Sequence, residues 1–396
     1  MKPSRLTSLA SLARSALLAL ASTGAHAQHR VDFTLDLTAE IAAGRFDPAK
    51  DQVGLRGATP PLDWGRTLLA HTVGAGRYAL TVDFAQDASH GQPVQYKIKI
   101  DHPGAASDAG WEQEGNRTLM LEAKAQTVDR AFGSTVTAPP LSRAGTIERL
   151  APLPSKLLPA RGVQVWLPPG YAQHLQQRYP VLYLHDGQNV FDAAATGAEW
   201  RVDESAQAGV ESGQLSPFIV VAIDNTAARM DEYTPVSMAR GGPSVGGKAP
   251  AYARYLIEEL KPFIDMHYRS LPDAAHTAVG GSSLGGLVSL WLAVHHAGTF
   301  GAALVVSPSV WWADSFALRD VAGSHWPDSH RPKLWVDIGG CEGDGALQGA
   351  RKLRETLLHN GWDARSLSYL ESPGATHDEA AWAVRVPAML KFLYGR

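Results

Sequence analysis

The sequence predicts an α/β fold, a mostly parallel sheet flanked by helices, preceded by a small all-β sandwich, and three observations carry that prediction. Between Val31 and about Ala125, short alternating segments such as Tyr78–Phe84 and Val94–Ile100 are separated by Gly, Asp, Pro and Ser, which is how a sandwich reads. After Thr146, apolar runs (Val163–Leu167, Pro180–Leu184, Phe218–Ile223, Leu304–Val306, Lys333–Val336) alternate with helical stretches. Strands that are apolar throughout belong to a parallel sheet covered on both faces. Between the two regions, Gly133-Ser-Thr-Val-Thr-Ala-Pro-Pro140 has no period and is rich in small residues and proline, a boundary signal.

Taken in order, residues 1–27 read as an export signal: Lys2, Arg5 and Arg14 precede the apolar run Ala16–Ala21, and Ala25-His26-Ala27 offers small residues for cleavage. A membrane anchor is the alternative, but a span needs roughly 20 apolar residues and Arg14 interrupts this one. The protein is therefore expected to be periplasmic or secreted, with no membrane span after cleavage. Residues 28–126 are assigned to the sandwich, 127–145 to a linker and 146–396 to the α/β unit. Loss of three basic residues from 36, against 39 acidic ones, leaves a charge of about −6, which gives no basic footprint for nucleic acid. Cys341 is the single cysteine, so no internal disulfide forms. The histidines show no ligand spacing and the adjacent His295 and His296 point in different directions on a helix, so neither metal nor cofactor is implied.

The clearest helix is Tyr252–Met266, where Tyr252, Leu256, Leu260, Phe263 and Ile264 recur at three- and four-residue spacing. An open parallel sheet places its site beyond the carboxyl ends of its strands. Gly-x-Ser-x-Gly occurs twice, as Gly242-Pro-Ser244-Val-Gly246 and Gly281-Ser-Ser283-Leu-Gly285. Ser244 lies in a Pro- and Gly-rich stretch and reads as a loop serine. Ser283 follows the strand-like Thr277–Val279 and precedes the apolar helix Leu287–Val294, the strand, turn and helix of a nucleophile elbow, with Gly281 and Gly285 keeping side chains out of the tight turn. This is the α/β-hydrolase arrangement.

A serine hydroxyl needs a base, and histidine suits that work near neutral pH. His377, in the loop Gly374-Ala-Thr-His-Asp378 after the strand-like Ser366–Leu370, is the expected base, whereas His325, His330 and His359 lack a strand end before them. The third member should be a carboxylate at the end of the strand Lys333–Gly339. Glu342 and Asp344 both qualify on position, and Asp337, inside the strand, reads as structural.

From about Thr146 to Arg396 the chain resembles the esterase family that includes enterochelin esterases, feruloyl esterases and S-formylglutathione hydrolases. The resemblance rests on His185-Asp-Gly-Gln-Asn-Val-Phe-Asp192, Ile223-Asp-Asn225, Arg229-Met-Asp-Glu-Tyr-Thr-Pro235, Glu258–Asp265, Gly280-Gly-Ser-Ser-Leu-Gly-Gly286, Ser307-Pro-Ser-Val-Trp-Trp312 and His377-Asp-Glu-Ala-Ala-Trp382. It implies Glu342, in Gly339-Gly-Cys-Glu342, as the triad acid. It also implies an oxyanion hole from the backbone N–H groups of Leu284 and Gln188, and a pocket lined by Ser307–Trp312, with packing as the other role for Trp311 and Trp312. The first region resembles starch-binding β-sandwich modules through Phe46-Asp-Pro48, Leu62-Asp-Trp64, Gln95-Tyr-Lys97 and Trp111-Glu112. That resemblance implies glucan binding by Trp64, Lys97 and Trp111, with burial in the sandwich or the domain interface as the alternative for the indoles.

These readings predict an exported serine esterase acting through Ser283, His377 and Glu342 on a small-molecule or polysaccharide-linked ester. The alternatives are a siderophore lactone esterase of the enterochelin type, an acyltransferase, and a carbohydrate-binding protein without catalysis.

Overall fold

The computed structural model of the chain describes residues 29–84, 93–104, 109–112, 116–121, 124–134, 143–194, 197–239, 243–324 and 331–396. The expected export signal, Gly242, His325 and His330 lie outside them.

The first region is a sandwich of two four-stranded sheets. One is ordered His71–Gly74, Arg77–Phe84, His29–Asp36, Gln126–Ala131, and the other Leu68–Leu69, Gln52–Gly57, Pro93–Asp101, Arg117–Met120. Alternation sends Val31, Phe33 and Leu35 inward from one sheet to meet Leu55, Tyr96 and Ile98 from the other. Phe33 and Tyr96 meet edge to face at 5.2 Å. The last strand, Gln126–Ala131, pairs in parallel with Val31–Asp36, so the sandwich runs into the segment predicted to be linker from residue 127. Among its six residues only Val128 is a large apolar side chain, and it is buried; one inward residue is too weak a period to announce a strand.

A buried ion pair closes this region. Arg117 Nε donates to Glu112 Oε1 and Oε2 at 3.2 and 3.0 Å, and Nη2 reaches the carbonyls of Ala131 and Ser134 at 3.1 and 3.2 Å. Glu112 also accepts from the N–H groups of Ile98 (2.8 Å) and Gly133 (2.9 Å).

The second region is built on an eight-stranded sheet ordered Leu367–Ser372, Lys333–Gly339, Ala302–Val306, Thr277–Ser282, Val181–His185, Ile219–Ile223, Arg161–Leu167, Thr146–Leu153. The first six are parallel, and the last two join antiparallel at one edge. Both faces are covered: Val181 and Tyr183 enter one core, and Leu182 and Leu184 the other. Burying each such side chain contributes about 1.5–3 kcal/mol. The predicted helix at Tyr252–Met266 is present as α-helix Ala249–Arg254, a wider π turn Tyr255–Leu260 and α-helix Lys261–His267. Tyr252, Leu256, Leu260 and Ile264 recur every four residues, more than the 3.6 of an α-helix, and the wider turn keeps all four on the buried face. Among the described residues, no helix is long and apolar enough to cross a membrane.

Candidate active site

Five parallel strands end side by side, and the residue or loop after each supplies part of one site. Ser283 sits between strand Thr277–Ser282 and helix Leu284–His295 with φ 58 and ψ −118, a conformation that costs of order 1–3 kcal/mol for a residue with a Cβ. Its N–H donates to the Val306 carbonyl at 3.0 Å, and its carbonyl accepts from Leu287 and Ser309, each at 3.0 Å. Those bonds hold the strained turn. A Cβ at Gly281 would lie 3.1 Å from the Gly285 backbone and from His185 Cβ, and one at Gly286 only 2.7 Å from the Val306 carbonyl. The close approach expected of Gly285 therefore falls one residue later: a Cβ at Gly285 meets nothing nearer than 3.4 Å. Ser244 instead lies exposed in a short pairing of Ser244–Gly246 with Ser237–Ala239, away from any elbow.

The amides of Leu284 and Gln188 make no hydrogen bond to any other described residue. Gln188 belongs to a turn after strand Val181–His185 that is shaped by polar contacts. Gly187 packs where a Cβ would come within 2.7 Å of Ile223 backbone atoms. The Gln188 side chain accepts from the Asn225 N–H at 3.0 Å and donates to Asn225 Oδ1 at 2.9 Å. Asp186, in the left-handed region at φ 57, is gripped by Arg229 at 2.6 and 2.7 Å and by Asn225 at 2.5 Å. Burial would raise its carboxyl pKa, but the Arg229 charge and these bonds outweigh that and hold it below the ordinary value. His185 is buried against Tyr233 and Tyr252, and burial drives its pKa down to about 3, so the ring is neutral.

The structure brings Glu342, and not Asp344, to His377. Glu342 Oε2 lies 2.6 Å from His377 Nδ1, with the carboxylate fully buried and the imidazole one-third exposed. Glu342 Oε1 accepts from the Gly339 N–H at 2.7 Å and the Ser307 hydroxyl at 2.6 Å. Asp344 is exposed in the first turn of helix Asp344–His359, where a negative charge suits the helix dipole. The Ser283 hydroxyl is 3.2 Å from Ser309 Oγ, and no hydrogen bond among the described residues joins it to His377.

Five residues that the sequence reading did not place in the catalytic machinery support this core. Ser307 Oγ, besides donating to Glu342, accepts from Trp382 Nε1 and Arg385 Nη2, both at 3.0 Å. Arg385 also pairs with Asp337 Oδ1 at 3.3 Å and lies 3.9 Å from Glu342. Asp337 is buried inside its strand, accepting from Trp335 Nε1 at 2.7 Å, and burial raises its pKa to about 6. Arg385 Nε and Nη1 have no partner among the described residues. The available signal was a charged residue within the apolar stripe Trp382, Val386, Met389 and Leu390, a pattern in which a buried arginine needs anionic company. Ser309 is the fifth. Trp312 is core, its Nε1 donating to the Val236 carbonyl at 2.8 Å, while Trp311 is half exposed.

In the sandwich, Trp64 and Trp111 lie 6.1 Å apart at 50° and are both half-buried, with Arg56 and Lys99 over the Trp111 ring at 5.2 and 5.5 Å. Lys97 Nζ donates to the Glu112 carbonyl at 3.2 Å. The three residues thus share one end of the sandwich.

A family model described as "Putative esterase" matches residues 156–393. In sequence the chain is 26% identical over 240 residues to an endo-1,4-beta-xylanase/feruloyl esterase of Xylanibacter ruminicola, covering 58% of this chain and 29% of that protein. It is 24% identical over 220 residues to the iron(III) salmochelin esterase of Escherichia coli O6:H1, covering 52% of this chain and 49% of that one. In structure it is similar to the enterobactin esterase FES from Shigella flexneri, with a TM-score of 0.53, 15% identity and 87% of each chain covered.

Proposed function

The chain belongs to the "Putative esterase" family, and from that premise we propose that it hydrolyses a carboxylic ester through an acyl-enzyme. Ser283 attacks the ester carbonyl while His377 takes its proton, Glu342 holds the imidazole and stabilises its charged form, and the alcohol leaves with a proton returned from His377. Water, activated by the same histidine, then releases the acid. The developing oxyanion is received by the amides of Leu284 and Gln188, one such donor being worth roughly 3–4 kcal/mol in the transition state. The observation that carries this reading is a strained serine between strand and helix together with a part-exposed His377 held at 2.6 Å by the buried Glu342 carboxylate, the two on neighbouring strand ends.

The substrate side of the proposal is an acyl group carried on a carbohydrate or plant polymer, reached outside the cytoplasm after loss of residues 1–27, with Trp64, Lys97 and Trp111 contacting a glucan. The match to a salmochelin esterase favours a second reading, a siderophore lactone. The test is release of p-nitrophenol from acetyl and butyryl esters by wild type and Ser283→Ala, with a fluorophosphonate mapped by peptide mass spectrometry. Labelling at Ser283 and loss of activity in the variant are expected; an unlabelled Ser283 or a fully active variant overturns the mechanism.

A further inference from the structure

Two serines flank Pro308 in the segment after strand Ala302–Val306, and each reaches one end of the proposed triad. Ser307 Oγ donates to Glu342, and Ser309 Oγ lies 3.2 Å from Ser283 Oγ. Both are almost fully buried. Ser309 is tied to the elbow a second time, because its N–H donates to the Ser283 carbonyl at 3.0 Å. The segment is rigid: Ser307 sits at φ 43 with its N–H on the Asp337 carbonyl at 2.9 Å, proline follows, and the Trp312 N–H closes the next turn on the Ser309 carbonyl at 3.2 Å. The hydroxyl of Ser309 is thereby set at a fixed place beside the atom that reacts.

We propose that Ser309 is a further catalytic residue, whose hydroxyl donates to Ser283 Oγ and holds the nucleophile's lone pair and proton in the attacking orientation. The inference rests on the reading of Ser283 as nucleophile. When the hydroxyl at Ser283 loses its proton, that proton goes to His377; Ser309 keeps its own proton throughout. The bond formed is Ser283 Oγ to the carbonyl carbon, and the Ser309 O–H lies along a second lone pair of that oxygen as negative charge builds there. A donor so placed stabilises the charged form more than the neutral one. It acts on the chemical step and leaves ground-state binding unchanged, so its loss appears in kcat and not in KM.

The experiment measures steady-state ester hydrolysis and the second-order rate of fluorophosphonate labelling in wild type, Ser309→Ala, Ser309→Cys, Ser309→Thr and Ser283→Ala. Removal of one neutral hydrogen bond predicts that kcat and the labelling rate fall about fivefold to tenfold in Ser309→Ala, with KM within about twofold. Ser309→Cys, close in size but a weak donor, should behave the same, and Ser309→Thr should recover most of the rate. If the alanine variant does not fold, the cysteine and threonine pair decides. Ser309 variants within twofold of wild type in both rates overturn the inference while Ser283→Ala still reports the triad. Equal losses in Thr and Ala also overturn it, since packing would then be the cause. An active Ser283→Ala removes the triad reading and this inference together.

Discussion

Two buried arginines, one in each region, invite comparison. Arg117 in the sandwich forms two bonds from Nε to Glu112, and its partner carboxylate is completed by two backbone N–H groups. Arg385 in the α/β unit stands between two buried carboxylates, Asp337 and Glu342, and two of its nitrogens find no partner among the described residues. The first is a satisfied ion pair of the kind that closes a fold. The second leaves one positive charge facing two negative ones, so the pocket carries a net negative charge that a protonated His377 would cancel. Rules of polar satisfaction are commonly broken where function requires it, and here the break lies directly behind Glu342.

The sharpest way to break the comparison is catalytic. Glu342→Gln should lower kcat by roughly 10³–10⁴-fold, because the imidazole loses both its orientation and its counter-charge, and steady-state kinetics on a p-nitrophenyl ester would show it; a loss below tenfold would point to another acid. Next come the arginines. Arg117→Met and Arg385→Met should each cost about 3–5 kcal/mol in unfolding free energy by stranding a buried carboxylate, but only Arg385→Met should also lower kcat. Equal kcat in the two variants would make Arg385 a structural staple like its counterpart.

A smaller effect follows from Asp337. Its pKa rises from 3.8 to about 6 on folding, through burial, so the folded state holds the proton more tightly. The stability contributed by protonated Asp337 is full below about pH 4 and is lost as pH rises through 6, a change of about 3 kcal/mol. Asp337→Asn should remove that dependence, so urea unfolding should show the variant gaining on wild type between pH 4 and pH 7. A constant difference across that range would mean that Asp337 stays ionised. The smallest expected effect is in the sandwich: Trp64→Ala should leave ester hydrolysis unchanged and weaken retention on a soluble α-glucan gel by about tenfold. Wild type that is not retained would end the glucan-binding reading.

Legibility followed the range of the interactions. The elbow around Ser283 could be read because strand, turn and helix are contiguous. The alternation within Tyr78–Phe84 and Val94–Ile100 similarly announced the sandwich. Glu342 and Asp344 could be separated only by resemblance, since the distinguishing contacts, the Gly339 N–H and the Ser307 hydroxyl, depend on how two loops meet. Arg385 and Asp337 lie on different elements, and their meeting depends on how the helix Glu379–Tyr394 rotates over the sheet, which no local period encodes. Ser307 and Ser309 look like ordinary turn residues until the neighbouring strand ends are placed around them. The strand Gln126–Ala131 was missed because its partner, His29–Asp36, lies some ninety positions earlier and its own pattern is mostly polar.

The helix that carries Trp382 and Arg385 also follows every other part of the site in the order of synthesis. Ser283, Ser307 and Glu342 all precede it by more than thirty residues, whereas His377 lies just before the helix that brings in the cation behind the acid. Until that helix docks, Asp337 and Glu342 would lie near each other without a counter-charge, an arrangement that opposes burial of both. Assembly of the pocket around Glu342 is therefore expected to finish only when helix Glu379–Tyr394 docks and sets Arg385 beside the two carboxylates.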